Sequence, residues 1–217
     1  MNPTERLQEL FLKFPGIGPK QSAKFVYFLL RAKAEYKIEL AKNIEYLKNT
    51  SSVCEKCLRV FSKQNSLNSI TICEICINKH RDASQLMIIT KDFDMDAIEK
   101  TNLYNGRYFI LGNILPFLTE KPSEVIHIRE LVKLLSENLT KEDTEELETD
   151  NKIQEIIFAM PASDEGDNTI DYIKKTLAQI VGIEKIKMSK LARGLSTGLD
   201  IEYVDKNTFK EAFTHRE

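Results

Sequence analysis

CEKCLRVFSKQNSLNSITICEIC, residues 54–76, contains every cysteine of the chain: Cys54-x2-Cys57, fifteen residues, then Cys73-x2-Cys76. Each C-x2-C places two sulfurs on one tight knuckle, and two knuckles together supply four thiolates for a tetrahedral Zn²⁺. Four protein ligands leave no coordination position for water or substrate, so the spacing predicts a structural zinc rather than a catalytic one. Clustering of all the cysteines in one short stretch also argues for metal over disulfides in a reducing compartment. His80 follows closely, but an exposed histidine beside the site explains it as well as ligation does.

Upstream of the cysteines the chain is basic. Residues 1–82 carry fourteen Lys/Arg against eight Asp/Glu, a net of +6; the whole chain is −2, so residues 83–217 carry −8. A basic head on an acidic body predicts that a polyanion is met by the head. Within that head, Asn2, Pro3 and Glu5 form a helix start with a capping box. Leu7, Leu10, Phe11 and Phe14 then follow the spacing of a buried helical stripe. The turn FPGIGPK (14–20) follows, and Pro19 opens a second helix with Ala23, Val26, Tyr27 and Leu30 as its stripe. A third helix is expected over about 36–48.

Gly16 and Gly18 free the backbone at this turn to present N–H groups at a helix start, an arrangement suited to phosphate. Lys20 and Lys24, one helical turn apart, add positive charge on the same side. Such a site holds backbone rather than bases and predicts DNA or RNA binding without sequence preference. A bare G-x-G is more often an ordinary turn between helices; the second proline and the lysine pair favour the binding site. The G-x4-G-K-[ST] frame of a P-loop is missing.

Downstream, LMIIT (86–90), RYFILG (107–112) and IQEIIFAM (153–160) read as buried strands. Amphipathic helices fall between and after them at about 94–101, 123–138 and 169–181, the alternation of an α/β sheet with crossover connections. TKEDTEELETDN (140–151) is acidic and polar, an expected exposed extension. Asp92, Asp94 and Asp96 alternate as in a calcium loop, but Ala97 stands where glycine is needed and Leu103 where glutamate is needed, which excludes an EF-hand. With Glu99, and with Asp164, Glu165 and Asp167 after the next strand, they are candidates for Mg²⁺ at the sheet's C-terminal edge. Solvated loops or helix caps explain them equally well, with Asp167 or Asn168 capping 169–181. GLSTG (194–198), followed by Asp200, Asp205 and His215, mimics a hydrolase nucleophile elbow. The tail after it is too short for the strands that chemistry requires.

The order of parts resembles the bacterial RecR family of recombination mediators. The shared features are PGIGPK in a helix-hairpin-helix, the four-cysteine knuckle, RDAS (81–84), DAIEKTNLYNGRYFILG (96–112), EIIFAMPASDEGDNTIDYI (155–173) and SKLARGLSTGLDIEYVDKNTFKEAF (189–213). The resemblance implies a multi-domain α/β protein: a helix-hairpin-helix region (1–53), a four-cysteine zinc finger (54–80), a Rossmann-like Toprim domain (81–185) and a C-terminal extension (186–217). It implies a non-enzymatic DNA-binding role in recombinational repair, in a ring-shaped homo-oligomer. The implied partners are RecO and in some lineages RecF, which together help load RecA onto single strands. By position Lys20 and Lys24 match the family's DNA-contacting pair. Asp92, Asp94, Glu165 and Asp167 match a vestigial Toprim acidic site, whose Mg²⁺ would have no catalytic part. The chain departs from the family where Thr90 replaces a glutamate, Asn113 a glycine, LPFLTEK (115–121) a Ser-Pro-x-x-Gly turn, Ser196 a proline and Lys190 an arginine. No stretch approaches the roughly 18 apolar residues of a membrane span, and MNPTERLQEL has no secretory pattern. The expectation is a cytoplasmic, nucleoid-associated protein.

Overall fold

The structure, a computed structural model, describes residues 2–63, 71–140, 152–192, 194–195, 197–198 and 200–214. Most of the polar loop between the cysteine pairs and nearly all of segment 140–151 lie outside these residues, as do Ser196 and His215. The expected multi-domain α/β architecture is present, in two compact units.

The first unit is helical: α1 (Pro3–Phe11), α2 (Pro19–Arg31) and α3 (Ala34–Thr50). The predicted capping box forms, with the Asn2 side chain accepting from the Thr4 N–H and the Glu5 carboxylate accepting from the Asn2 N–H. Pro19 opens α2, as its fixed φ allows. The two predicted stripes are only partly covered. Val26 is buried, but Tyr27 and Leu30 stay 65% and 56% exposed, and Leu10 and Phe14 stay 43% and 53% exposed. Edge-to-face contacts Phe11–Phe25 and Phe28–Tyr36, at 5.5 and 5.7 Å between ring centroids, join the helices. Three short helices have too little mutual surface to cover these side chains.

The second unit contains the cysteine knuckles and a parallel sheet. A two-stranded ladder, β1 (Ser51–Val53) with β2 (Val60–Ser62), brackets the first knuckle, and α4 (Glu74–Ile77) forms the second. The sheet consists of β3 (Asp82–Ile89), β4 (Gly106–Ile110), β5 (Glu155–Ala159) and β6 (Lys187–Lys190), in the order β4-β3-β5-β6. Its helices are α5 (Asp92–Thr101), α6 (Pro122–Val125), α7 (Ile128–Thr140) and α8 (Asp164–Leu177); α9 (Lys206–Thr214) follows β6.

The period-2 alternation of strand residues decides what each face meets. Leu86, Ile88, Phe109, Ile156 and Phe158 point to the face packed by Leu131 and Leu135 of α7 and Ile170 and Ile173 of α8. Met87, Ile89, Tyr108 and Ile110 point to the other face, where they meet Met95 of α5 and all four cysteines. The knuckles are therefore one covering layer of the sheet. Central β3 is buried on both sides, which is why 86–89 is uniformly apolar.

Several boundaries differ from expectation: α1 ends at Phe11, so Phe14 lies in the turn, and α5 begins at Asp92 rather than at 94. The helix expected at 169–181 begins at Asp164, because Ser163 caps it by accepting the Gly166 N–H at 3.1 Å; neither Asp167 nor Asn168 is the cap. The helix expected at 123–138 is broken at Ile126, which is extended, and the His127 N–H returns to the Leu111 carbonyl at 2.9 Å. The helix expected at 36–48 is longer at both ends. Among the described residues no helix is long and apolar enough to cross a membrane.

Candidate nucleic-acid interface and metal centre

The turn at 14–20 is built by Gly16, whose φ of +73° lies in the left-handed region that favours glycine. The Ile17 N–H closes on the Phe14 carbonyl at 3.1 Å. Gly18 is the N-cap of α2 in extended conformation, and its carbonyl accepts from Gln21 and Ser22. Among the described residues, the amides of Gly16, Gly18 and Lys20 have no protein partner. Ser22, fully buried, ties its hydroxyl to the Pro19 carbonyl at 3.0 Å and holds the first turn in place. Lys20 and Lys24 are exposed on successive turns of α2.

The four cysteines converge. Cys54, Cys57 and Cys73 are at most 1% exposed and Cys76 8%, with all four Sγ atoms within 4.8 Å of one another. Cys57 Sγ and Cys73 Sγ stand 3.6 Å apart, far longer than a disulfide and close to the edge of about 3.8 Å set by four Zn–S bonds of about 2.3 Å in a tetrahedron. Each knuckle is closed locally. The Leu58 N–H bonds the Cys54 carbonyl and the Cys54 N–H bonds the Arg59 carbonyl, with Leu58 at φ +62° taking the turn. In the second knuckle, the Ile77 N–H returns to the Cys73 carbonyl, and the Cys73 N–H points to Cys54 Sγ at 3.3 Å.

Shared protons pull the thiols apart in acidity. Mutual hydrogen bonding lets one sulfur of the group carry charge only at its neighbours' expense, and burial raises each thiol. Four buried sulfurs cannot ionise together without a cation among them. The donor set, its burial and its spacing thus fit a single metal ion.

The acidic residues have a different arrangement. α5 and α8 both start at the C-terminal ends of adjacent strands, β3 and β5, so Asp92, Asp94, Glu165 and Asp167 do share one sheet edge. Among the described residues, only the cysteines gather three or more metal-donor groups. Asp94 accepts from the Thr90 hydroxyl at 2.5 Å and the Lys91 N–H at 2.9 Å, capping α5. Asp92 accepts from the Val60 N–H at 2.8 Å. Asp96 takes Arg59, and Glu99 takes Arg81 and the Tyr108 hydroxyl. Burial alone would raise Glu99, but Arg81 and Tyr108 outweigh it and hold its carboxyl below the ordinary value. Asp164 and Glu165 lie exposed in the first turn of α8, and Asp167 is 4.0 Å from Lys190.

The acids of α5 therefore serve as attachments for the cysteine layer and for the sheet's edge. Arg59 and Arg81, which make those attachments, were not singled out by the sequence. Their partners are 15 to 37 residues away, so no local pattern in the sequence marks them.

The profile of the Toprim domain family matches residues 84–192, which span the parallel sheet. Along the whole chain the protein is similar to "Recombination protein RecR" of Phytoplasma mali, 34% identical over 99% of this chain and 95% of that one. It is similar to the same protein of Legionella pneumophila, 32% identical over 100% and 96%, and of Amoebophilus asiaticus, 31% identical over 93% and 89%. At 31–34% identity over nearly the full length of both chains, this chain belongs to the recombination protein RecR family.

Proposed function

We propose that the chain is a non-catalytic, DNA-binding recombination mediator, and that its cysteine cluster holds one structural Zn²⁺. The observation that carries the DNA reading is the turn at 14–20. Unpartnered amides at Gly16, Gly18 and Lys20 stand beside the exposed ammonium groups of Lys20 and Lys24, an anion site at a helix start. Contacts of this kind are made to phosphates and carry no sequence preference. Cys54, Cys57, Cys73 and Cys76 hold the zinc, and the metal's contribution is to fix the knuckles against the sheet. In this reading residues 1–53 are the DNA-binding region, 54–80 the zinc finger, 81–185 the Toprim domain and 186–217 the C-terminal segment.

The mediator works in the cytoplasm, at the nucleoid, as a ring-shaped oligomeric clamp with RecO, and with RecF where present, helping to load RecA onto single-stranded DNA. Self-association is supported by the apolar side chains that the helical unit leaves uncovered, Tyr27, Phe28 and Leu30 among them. The non-catalytic reading is supported by Thr90, which offers a hydroxyl rather than a carboxylate at the end of β3 and donates it to Asp94, and by Asp92, one oxygen of which accepts from the Val60 N–H. Native mass spectrometry with and without single-stranded DNA tests the whole: a multimer with one zinc per chain that takes up DNA is expected, and a metal-free monomer indifferent to DNA refutes it.

The second reading is a Mg²⁺-dependent Toprim nuclease, favoured by the exposed Glu165 at the sheet's C-terminal edge. Cleavage of labelled DNA that requires Mg²⁺ and is lost in Glu165→Ala would establish it.

A further inference from the structure

Two knuckles that are fifteen residues apart in sequence must be held at fixed separation if four sulfurs are to keep one tetrahedron. Besides the 3.6 Å approach of Cys57 Sγ to Cys73 Sγ, three links join them among the described residues: Glu55 N–H to the Thr71 carbonyl at 3.0 Å, Cys73 N–H to Cys54 Sγ at 3.3 Å, and the Arg59–Glu74 ion pair. Only the last is made between side chains outside the ligand set. Arg59 lies in the first knuckle, where its carbonyl accepts the Cys54 N–H at 2.8 Å. Glu74 follows Cys73 directly and begins α4. The other guanidinium nitrogen reaches Asp96 of α5 at 3.3 Å, and the Arg59 side chain is 17% exposed. One side chain thus ties the first knuckle to the second and both to the sheet's helix.

We infer that Arg59 is a positioning residue for the metal centre, setting how long the bound ion stays by pinning the two knuckles at ligand spacing. The planar guanidinium suits this task because it serves two carboxylates in fixed directions, which an ammonium cannot do. Partners outside the ligand set commonly change metal affinity by about 10–100-fold, and a change made by loosening ligand spacing falls on the release rate. The inference rests on the zinc reading above.

The test uses the full chain loaded with zinc, an excess of a chelating dye, and release followed by absorbance. Arg59→Met is expected to release zinc at least about 10-fold faster than wild type, with Arg59→Lys intermediate. Glu74→Gln, which removes only the knuckle-to-knuckle arm, should match Arg59→Met. Asp96→Asn, which removes only the arm to α5, should stay near the wild-type rate. Wild-type kinetics in both Arg59→Met and Glu74→Gln overturn the inference. So does equal acceleration in Asp96→Asn, which would mean general loosening rather than pinning. If Arg59→Met fails to fold or load, Glu74→Gln against Asp96→Asn decides alone. A wild-type chain that binds no zinc overturns the metal reading and this inference with it; a loaded wild type with unaffected variants overturns the inference only.

Discussion

Removing the metal should destabilise the α/β unit as a whole, because the knuckles cover one face of its sheet. Met87, Ile89, Tyr108 and Ile110 are each at most 5% exposed and meet the cysteine layer together with Met95. Full burial of such a side chain contributes about 1.5–3 kcal/mol. If metal loss uncovers half of that surface on four side chains, the cost is about 3–6 kcal/mol. That is a large part of the ~5–15 kcal/mol that holds a typical domain folded. At about 2–4 °C per kcal/mol for a chain of this size, the midpoint should fall by roughly 6–24 °C. Thermal melts before and after chelation, with zinc content measured and zinc restored at the end, check this. Complete metal removal with a midpoint shift of only a few degrees would refute the reasoning that the knuckles are a structural layer.

Thr90→Val removes a hydroxyl donated to the Asp94 carboxylate and should cost about 1.5–3 kcal/mol in denaturant titration, the usual range for a hydrogen bond to a charged group. Gly166→Ala would place a Cβ 2.1 Å from the Pro161 carbonyl oxygen, and the forced shift of the α8 start should cost about 1–3 kcal/mol; an unchanged melting midpoint would show that this turn yields freely. Glu99 has a lowered folded-state pKa, so its stabilising contribution is present above the ordinary carboxylate value and is lost as pH falls through the lowered one. Wild type should therefore lose stability more steeply than Glu99→Gln below about pH 4.5, and parallel acid profiles would contradict the assigned Arg81–Glu99–Tyr108 contacts.

Features governed by local chemistry were legible in the sequence, and those governed by distant partners were not. Two C-x2-C pairs announce a tetrathiolate because the knuckle is made within four residues, and the structure buries all of its sulfurs at metal spacing. The stretch 86–90, apolar through Ile89, reads as a buried strand because β3 is covered on both faces. By contrast β6, with the sequence KMSK, is a short half-exposed edge strand and has no apolar pattern to find. The start of α8 was placed too late because ASDEGDN looks like a solvated loop, although Ser163 is a sound cap. Asp92, Asp96 and Glu99 looked like metal carboxylates, and their actual partners, the Val60 amide, Arg59 and Arg81, come from the cysteine region and its exit. The stripes of α1 and α2 read as buried faces, but Leu10, Phe14, Tyr27 and Leu30 are exposed and Phe14 lies beyond α1, because periodicity marks an apolar face and cannot say whether one chain suffices to cover it.

If the hairpin turn grips nucleic-acid backbone, DNA binding must depend steeply on salt and on Lys20 and Lys24. Affinity for an unstructured single strand should fall linearly on a log–log plot against salt, irrespective of sequence. Replacing both Lys20 and Lys24 by alanine should weaken binding and lower that slope by about 1.4, or about 0.7 for each phosphate that is no longer neutralised. A double variant with wild-type affinity and wild-type slope would contradict the account.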